Sequence, residues 1–153
     1  MSCGFALAAK SVIVRNDKAL ILRRSEKEIK SSVLNKNEKW DLPGGSVHFH
    51  ENCIEGMLRE ISEETALKVR VVKPIRVFDA INSQIHMTIV TYVCIYRSGE
   101  VKLSEEHDRY YWLTLKEAEE MHLPGWLLKD MRSAFAEARR LRRRAAKALT
   151  YNE

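Results

Sequence analysis

The stretch that decides the fold is WDLPGGSVHFHENCIEGMLREISEETAL, residues 40–67. It joins a glycine-rich turn, a short loop and a helix in which Glu60, Glu63 and Glu64 fall within little more than one turn. Carboxylates that close repel one another, each exposed like pair at helical spacing costing about 0.2–0.5 kcal/mol. A cation resolves the conflict, and a hard divalent metal is the natural one.

Asn52 is a good N-cap for a helix running to about Thr65, with Cys53, Ile54, Met57, Leu58 and Ile61 as its apolar stripe. At about 100° per residue, Glu64 lies about 40° from Glu60 on the side nearer that stripe, and Glu63 about 60° away on the other. The carboxylates therefore sit where the buried face meets solvent, held by packing yet open to an ion. Arg59, four residues before Glu63, can pair with it and neutralise part of the charge when no metal is bound. Gly44 and Gly45 supply a turn in which glycine permits close approaches that other residues forbid. The Gly45 carbonyl is a further candidate metal ligand.

Working outward, residues 5–15 are mostly apolar and lead through Asn16-Asp17 into residues 19–24, which predicts a hairpin. Residues 25–39 are rich in Lys, Ser and Asn and read as a surface loop. Residues 68–81 suggest a strand interrupted or bent at Pro74. Residues 85–97 alternate clearly, with one face expected to be fully buried and the other mixed. An acidic loop, Glu105-Glu106-His107-Asp108, precedes a short aromatic strand at 109–113. Thr114 and Glu117 form a capping-box pattern for a helix that fails near His122. From Gly125, Leu127, Met131, Ala134, Phe135, Ala138 and Leu141 recur at helical spacing, predicting a basic helix at about 125–149 whose last turns project beyond the domain or fray. Strands, a helix, more strands and terminal helices indicate an α/β (α+β) fold, a mixed sheet with helices on its faces.

The 153 residues suit one domain, 1–153, able to bury roughly two thirds of its unfolded surface. With 45% apolar and 31% charged residues, and no apolar run of the roughly 18 needed to span a bilayer, the composition predicts a cytoplasmic protein with no membrane partner. Lys10 lies inside the apolar N-terminal stretch rather than ahead of it, unlike a signal peptide. Cys3, Cys53 and Cys94 form no metal-binding or redox pair. The net charge of +5 is concentrated in Arg139, Arg140, Arg142, Arg143, Arg144 and Lys147, so it says little about the core.

Gly45, five residues, Glu51, seven residues, then Arg59-Glu60-Ile61-Ser62-Glu63-Glu64-Thr65-Ala66-Leu67 resembles the Nudix box of the Nudix hydrolases, departing only where Ala66 replaces a glycine. That departure falls at the helix exit, where a left-handed residue is expected, and touches no metal ligand. The resemblance implies a Nudix fold, a mixed sheet between helices, and hydrolysis of a nucleoside diphosphate linked to another moiety with Mg2+ or Mn2+. It carries over Glu60, Glu63 and Glu64 as metal ligands, with Gly44, Glu51 and Arg59 in support. Glu60, Glu63, Glu105 and Glu106 are the candidates for the base that activates water.

Subgroup marks fall beyond the box. A proline marking ADP-ribose hydrolases would lie near Asn82, and a tyrosine marking dinucleoside polyphosphate hydrolases near Gln84 or Ile85; this chain has neither. A nucleoside triphosphate cleaved to monophosphate and diphosphate is the first expectation. The alternatives are a sugar nucleotide, an RNA 5′ end favoured by the basic tail, or a catalytically silent nucleotide-binding module. Arg23 is a candidate phosphate contact, although strand alternation lets only one of Arg23 and Arg24 face the site. Trp40 either stacks on a base or anchors its loop to the core. His48 and His50 flank Phe49 and read as exposed loop residues. The expected partner is a small nucleotide, nucleic acid being a lesser option, and the chain is expected to be a monomer or homodimer.

Overall fold

A computed structural model describes residues 4–34 and 37–150, and its sheet is organised by a parting of two strands. β1 (Gly4–Arg15) and β2 (Lys18–Arg24) form the expected hairpin around Asn16, whose φ of 56° serves the turn. They pair at Val14 with Ala19 and Arg15 with Lys18, then separate. The chain crosses the gap from β3 (Trp40–Asp41), on β2, to β4 (Gly44–Ser46), on β1. β6 (Ile85–Ser98) lies parallel to β1, β5 (Lys68–Ile81) is antiparallel to β6, and β7 (His107–Leu113) pairs β2. The sheet has seven strands in the order β3-β2-β1-β6-β5, with β4 on β1 and β7 on β2.

Strand alternation sends apolar residues to both faces, so helices cover both. Ile13, Leu20, Leu22 and Cys94 pack with Met57 and Ile61 of α2 (Cys53–Thr65). Val12, Val14, Ile21 and Val93 pack with Leu127, Met131 and Phe135 of α4 (Gly125–Thr150), and Ala118 of α3 (Leu115–Glu120) joins that layer. This is the mixed sheet between helices that the sequence implied.

Four local expectations need correction or narrowing. Residues 25–39 contain a helix, α1 (Glu26–Ser31), capped by Ser25, whose Oγ accepts from the Glu28 N–H. It buries no residue, so no apolar periodicity announces it; Asn35 and Lys36 of the same stretch lie outside the described residues. β5 is not interrupted at Pro74; of the two expected alternatives the bent strand fits, with register shifts on either side of the proline. In β6 the buried residues are Thr91, Tyr92, Val93 and Cys94, on both faces, because only the middle of the strand lies between the helix layers. In α2, Ile54 and Leu58 are exposed, and Gly56, Met57, Ile61, Glu64 and Thr65 form the buried side. Gly56 sets that face: a Cβ there would lie 3.2 Å from the Val47 Cα and 2.9 Å from Glu51 Oε1.

The expected ends of the other helices are close to those observed. Thr114 and Glu117 make the capping box of α3, and α4 continues to Thr150 with every side chain beyond Leu141 exposed. Ala66, the C-cap of α2, takes the left-handed conformation at φ 60°, ψ 16°.

The crossing from β3 to β4 is tied down by polar groups. Ser11 donates to the Pro43 carbonyl through its N–H (2.8 Å) and its Oγ (2.9 Å). The Lys10 ammonium donates to Asp41 Oδ1 (2.9 Å), the Leu42 carbonyl (3.2 Å) and the Gly44 carbonyl (2.9 Å). Asp41 also pairs with Arg24 (3.3 Å) and with His107 Nε2 (3.0 Å). Burial alone would raise the Asp41 pKa, but Lys10, the His107 hydrogen bond and Arg24 hold it well below the usual carboxylate range.

Two outcomes follow from these contacts. Ala66→Gly relieves the left-handed strain and is expected to stabilise the protein by about 0.5–1 kcal/mol in urea unfolding; a destabilised variant would show that the Ala66 side chain contributes packing that outweighs the strain. Asp41→Asn leaves buried cations unpaired and is expected to cost about 3–5 kcal/mol at pH 7. Because the Asp41 pKa is depressed on folding, its contribution is present above the ordinary value of 3.8 and is lost as pH falls below it. The stability gap between wild type and Asp41→Asn should therefore narrow between pH 5 and pH 2, and a constant gap would contradict the assignment.

Candidate active site

α2 lays its acidic side against the turn that crosses the parted strands. The Gly44 N–H donates to Glu64 Oε2 at 2.9 Å, and a Cβ on Gly45 would lie 2.9 Å from Glu60 Cδ. Gly44 itself has φ 124°, and a Cβ there would collide with the Ala9 carbonyl and stand 2.8 Å from Lys10 Cα. Glycine is thus demanded twice, once by backbone conformation and once by the approach of a carboxylate.

Glu64 is buried at 4% exposure. Burial raises its pKa to about 8, with Asp41 and Glu60 adding to the effect and Lys10 and the Gly44 N–H opposing it. Burial and the neighbouring carboxylates thus favour the protonated form, and a cation at this position would favour the ionised one.

Arg59 does more than the expected i,i+4 pairing. Its guanidinium reaches Glu63 (3.3 Å), Glu60 (3.0 Å), both oxygens of Glu51 (2.8 and 3.2 Å) and the Ser46 carbonyl (2.9 Å). Hydrogen bonds from Arg59, then from the His48 N–H, bring the Glu51 pKa down to about 2. Glu51 thereby anchors the arginine, which in turn gathers Glu60 and Glu63.

A cavity of about 390 Å³ opens on this cluster, and Glu60, Glu64, Glu106, Lys10, Arg24 and His107 are on its walls. Burial raises the pKa of Glu106, and Glu28 and Glu60 push it the same way. Oxygens of Glu64 and Glu106 and a ring nitrogen of His107 lie within 4.8 Å of one another, the one such group of three found among the described residues. The donors around the cavity are predominantly carboxylates with a backbone carbonyl nearby, which suits Mg2+ or Mn2+.

The other sequence candidates are placed as follows. Arg23 forms a two-pronged pair with Asp108 (2.7 and 2.8 Å) and is not on the cavity wall; Arg24, one residue on and facing the other way, is. Trp40 is buried in the core with its ring edge toward Tyr111 and also borders a second cavity. Glu105 is exposed and off the cavity wall. His48 stands in an exposed loop with Phe49 and His50. Four residues were not marked as site residues: Lys10, Arg24, Asp41 and His107. Two carry a signal in retrospect, since Lys10 interrupts an apolar strand and Asp41 is wedged between Trp40 and Leu42.

This geometry has counterparts among known proteins. Residues 5–136 match the NUDIX domain family. A MutT-like protein of Streptomyces ambofaciens is 28% identical over 116 residues, 75% of this chain and 68% of that one. The crystal structure of a MutT protein from Methanosarcina mazei Go1 aligns with a TM-score of 0.71 and 28% identity, over 90% of this chain and 98% of the other. A Caenorhabditis elegans Ap4A hydrolase shares the fold at a TM-score of 0.67 and 18% identity, over 87% and 97%. With the glycine turn, the glutamate helix and the family match in agreement, this chain belongs to the Nudix hydrolase family.

Proposed function

We propose that the chain hydrolyses a nucleoside triphosphate to the monophosphate and diphosphate, with Mg2+ or Mn2+ held by Glu60, Glu63, Glu64 and the Gly45 carbonyl. Family membership supplies the coarser statement, that the protein is a hydrolase acting on nucleoside diphosphate-linked compounds. The observation that supports a metal-dependent site is the turn-to-helix contact, the Gly44 N–H on Glu64 and Glu60 against Gly45, at a cavity with Lys10 and Arg24 on its wall; the choice of a triphosphate rests on the absent subgroup residues near Asn82 and Gln84. An anionic diphosphate would be repelled by the carboxylates alone. A divalent ion, when bound, joins the two, polarises phosphorus and activates water.

The chain's own residues then have distinct tasks. Glu64 would hold the ion in its ionised form, while Arg59 holds Glu60 and Glu63 in place from behind. Glu106, at the cavity and with a raised proton affinity, is well placed to take a proton from water, alongside Glu60 and Glu63. Lys10 and Arg24 add positive charge at the wall, partly spent on Asp41. An RNA 5′ end remains the second reading, because the arginines of α4 beyond Ala138 are exposed along its polar side. Among the described residues no helix is long and apolar enough to cross a membrane.

Pyrophosphate release from a panel of nucleotides, read as phosphate after adding an inorganic pyrophosphatase, with and without Mg2+, tests the reading; turnover on none of them sinks it. Glu63→Gln or Glu64→Gln is expected to lower kcat at least about 100-fold with circular dichroism unchanged, as loss of a metal ligand should. A folded variant that stays nearly as fast would remove that residue from the ligand set.

A further inference from the structure

A second cavity, of about 270 Å³, adjoins the first and shares Lys10, Arg24, Asp41 and Ile89 with it. Its character is different. Phe78 and Trp126 are on its walls, and the Arg76 guanidinium lies 3.9 Å from the Phe78 ring centroid and 6.0 Å from that of Trp126. Flat, polarisable surfaces of this kind stack on planar heterocycles. Arg76 is fixed by Asp130, itself 2% exposed, at 2.7 Å, yet its Nε is buried without a hydrogen-bond partner.

Glu38 supplies the polar counterpart. Its Oε1 accepts from the Trp40 N–H (3.1 Å) and its Oε2 from Trp126 Nε1 (3.2 Å), so the carboxylate is oriented at both ends. A carboxylate has about four lone-pair sites, and each oxygen keeps one free.

We propose that this second cavity is the base-recognition pocket, with Phe78, Trp126 and Arg76 stacking the ring and Glu38 reading a base edge that presents two adjacent N–H donors. The proposal rests on the nucleotide-hydrolase reading, since the shared wall puts a base in this cavity and its phosphates at the glutamates. Among ordinary nucleobases the guanine edge satisfies Glu38. Adenine and cytosine turn a ring-nitrogen lone pair toward the carboxylate beside their amino group, and uracil offers one N–H between two carbonyls. Leaving a charged acceptor unpaired discriminates strongly between such edges.

The test compares GTP, ATP, CTP and UTP hydrolysis by wild type, Glu38→Gln and Trp126→Ala, together with GMP and AMP binding followed by tryptophan fluorescence without metal. The wild type is expected to favour GTP at least about tenfold, mainly in KM, and Glu38→Gln to abolish most of that preference. Trp126→Ala should raise KM for all four. Equal KM values across the bases, or a guanine preference that survives Glu38→Gln, overturns the proposal while leaving hydrolysis intact. GMP binding that prefers guanine and depends on Glu38, without hydrolysis of any nucleotide, upholds the pocket and sinks the hydrolase reading instead. Absence of both binding and turnover overturns the two together.

Discussion

The ammonium group of Lys10 sits where β1 and β2 part, and the site depends on what it holds. Burial alone would push its pKa down, but Asp41 and Glu64 more than offset this and the net shift is upward. The cation stays charged and uses its three donors on Asp41 and on the carbonyls of Leu42 and Gly44. Those carbonyls belong to the turn that α2 needs as a partner, so one buried charge fixes both the path of the crossing chain and the direction of the Gly44 N–H. Buried ion pairs contribute little net stability because desolvation consumes most of the attraction. Their effect here is geometric: a turn free to shift would carry the Gly44 donor away from Glu64.

The acidic helix faces the opposite difficulty, too much negative charge in one place. Arg59 addresses it by reaching three carboxylates at once, with Glu51 brought in from the preceding loop to hold the guanidinium. Glu64 is not among the carboxylates that Arg59 reaches; burial raises its pKa, and Lys10 and the Gly44 N–H oppose that shift. The helix thus meets its own repulsion in two ways, an ion pair within the helix and contact with the turn.

Most of what lies close together in the chain could be read in the sequence. The hairpin at Asn16, the Asn52 cap and the glutamate spacing all depend on neighbours within a few residues, and propensity and periodicity report those; that Ala66 keeps a left-handed exit is seen only in the structure. The Lys10–Asp41 contact spans 31 residues and the His107–Asp41 contact 66, so nothing in either local stretch announces them. The exposure of Ile54 and Leu58 has a similar origin: a helical wheel places them on the apolar stripe, but Gly56 lets the helix press against Val47 and Glu51 and rotates the buried face toward Glu64. α1 was hidden for another reason, since it buries nothing and its cap is its main signal. Arg24 illustrates a partial success. Alternation shows that one of two arginines faces inward, and the pairing of β2 with β3 and β7 decides which.

The family box and the second cavity occupy different parts of the fold, and their supports differ accordingly. The box glutamates lie on α2 beside the glycine turn, within one contiguous stretch, which is why it is recognisable in a single sequence. The second cavity draws on the residues before β3, on β5 and on the start of α4, brought together by pairs such as Arg76 with Asp130, 54 residues apart, and Glu38 with Trp126, 88 apart. A substitution on β5 can change that wall without moving a glutamate, because α2 packs on the other face of the sheet. Only Lys10, Arg24, Asp41 and Ile89 border both cavities. The two cavities therefore meet at that small junction, where the Lys10 ammonium already fixes the geometry.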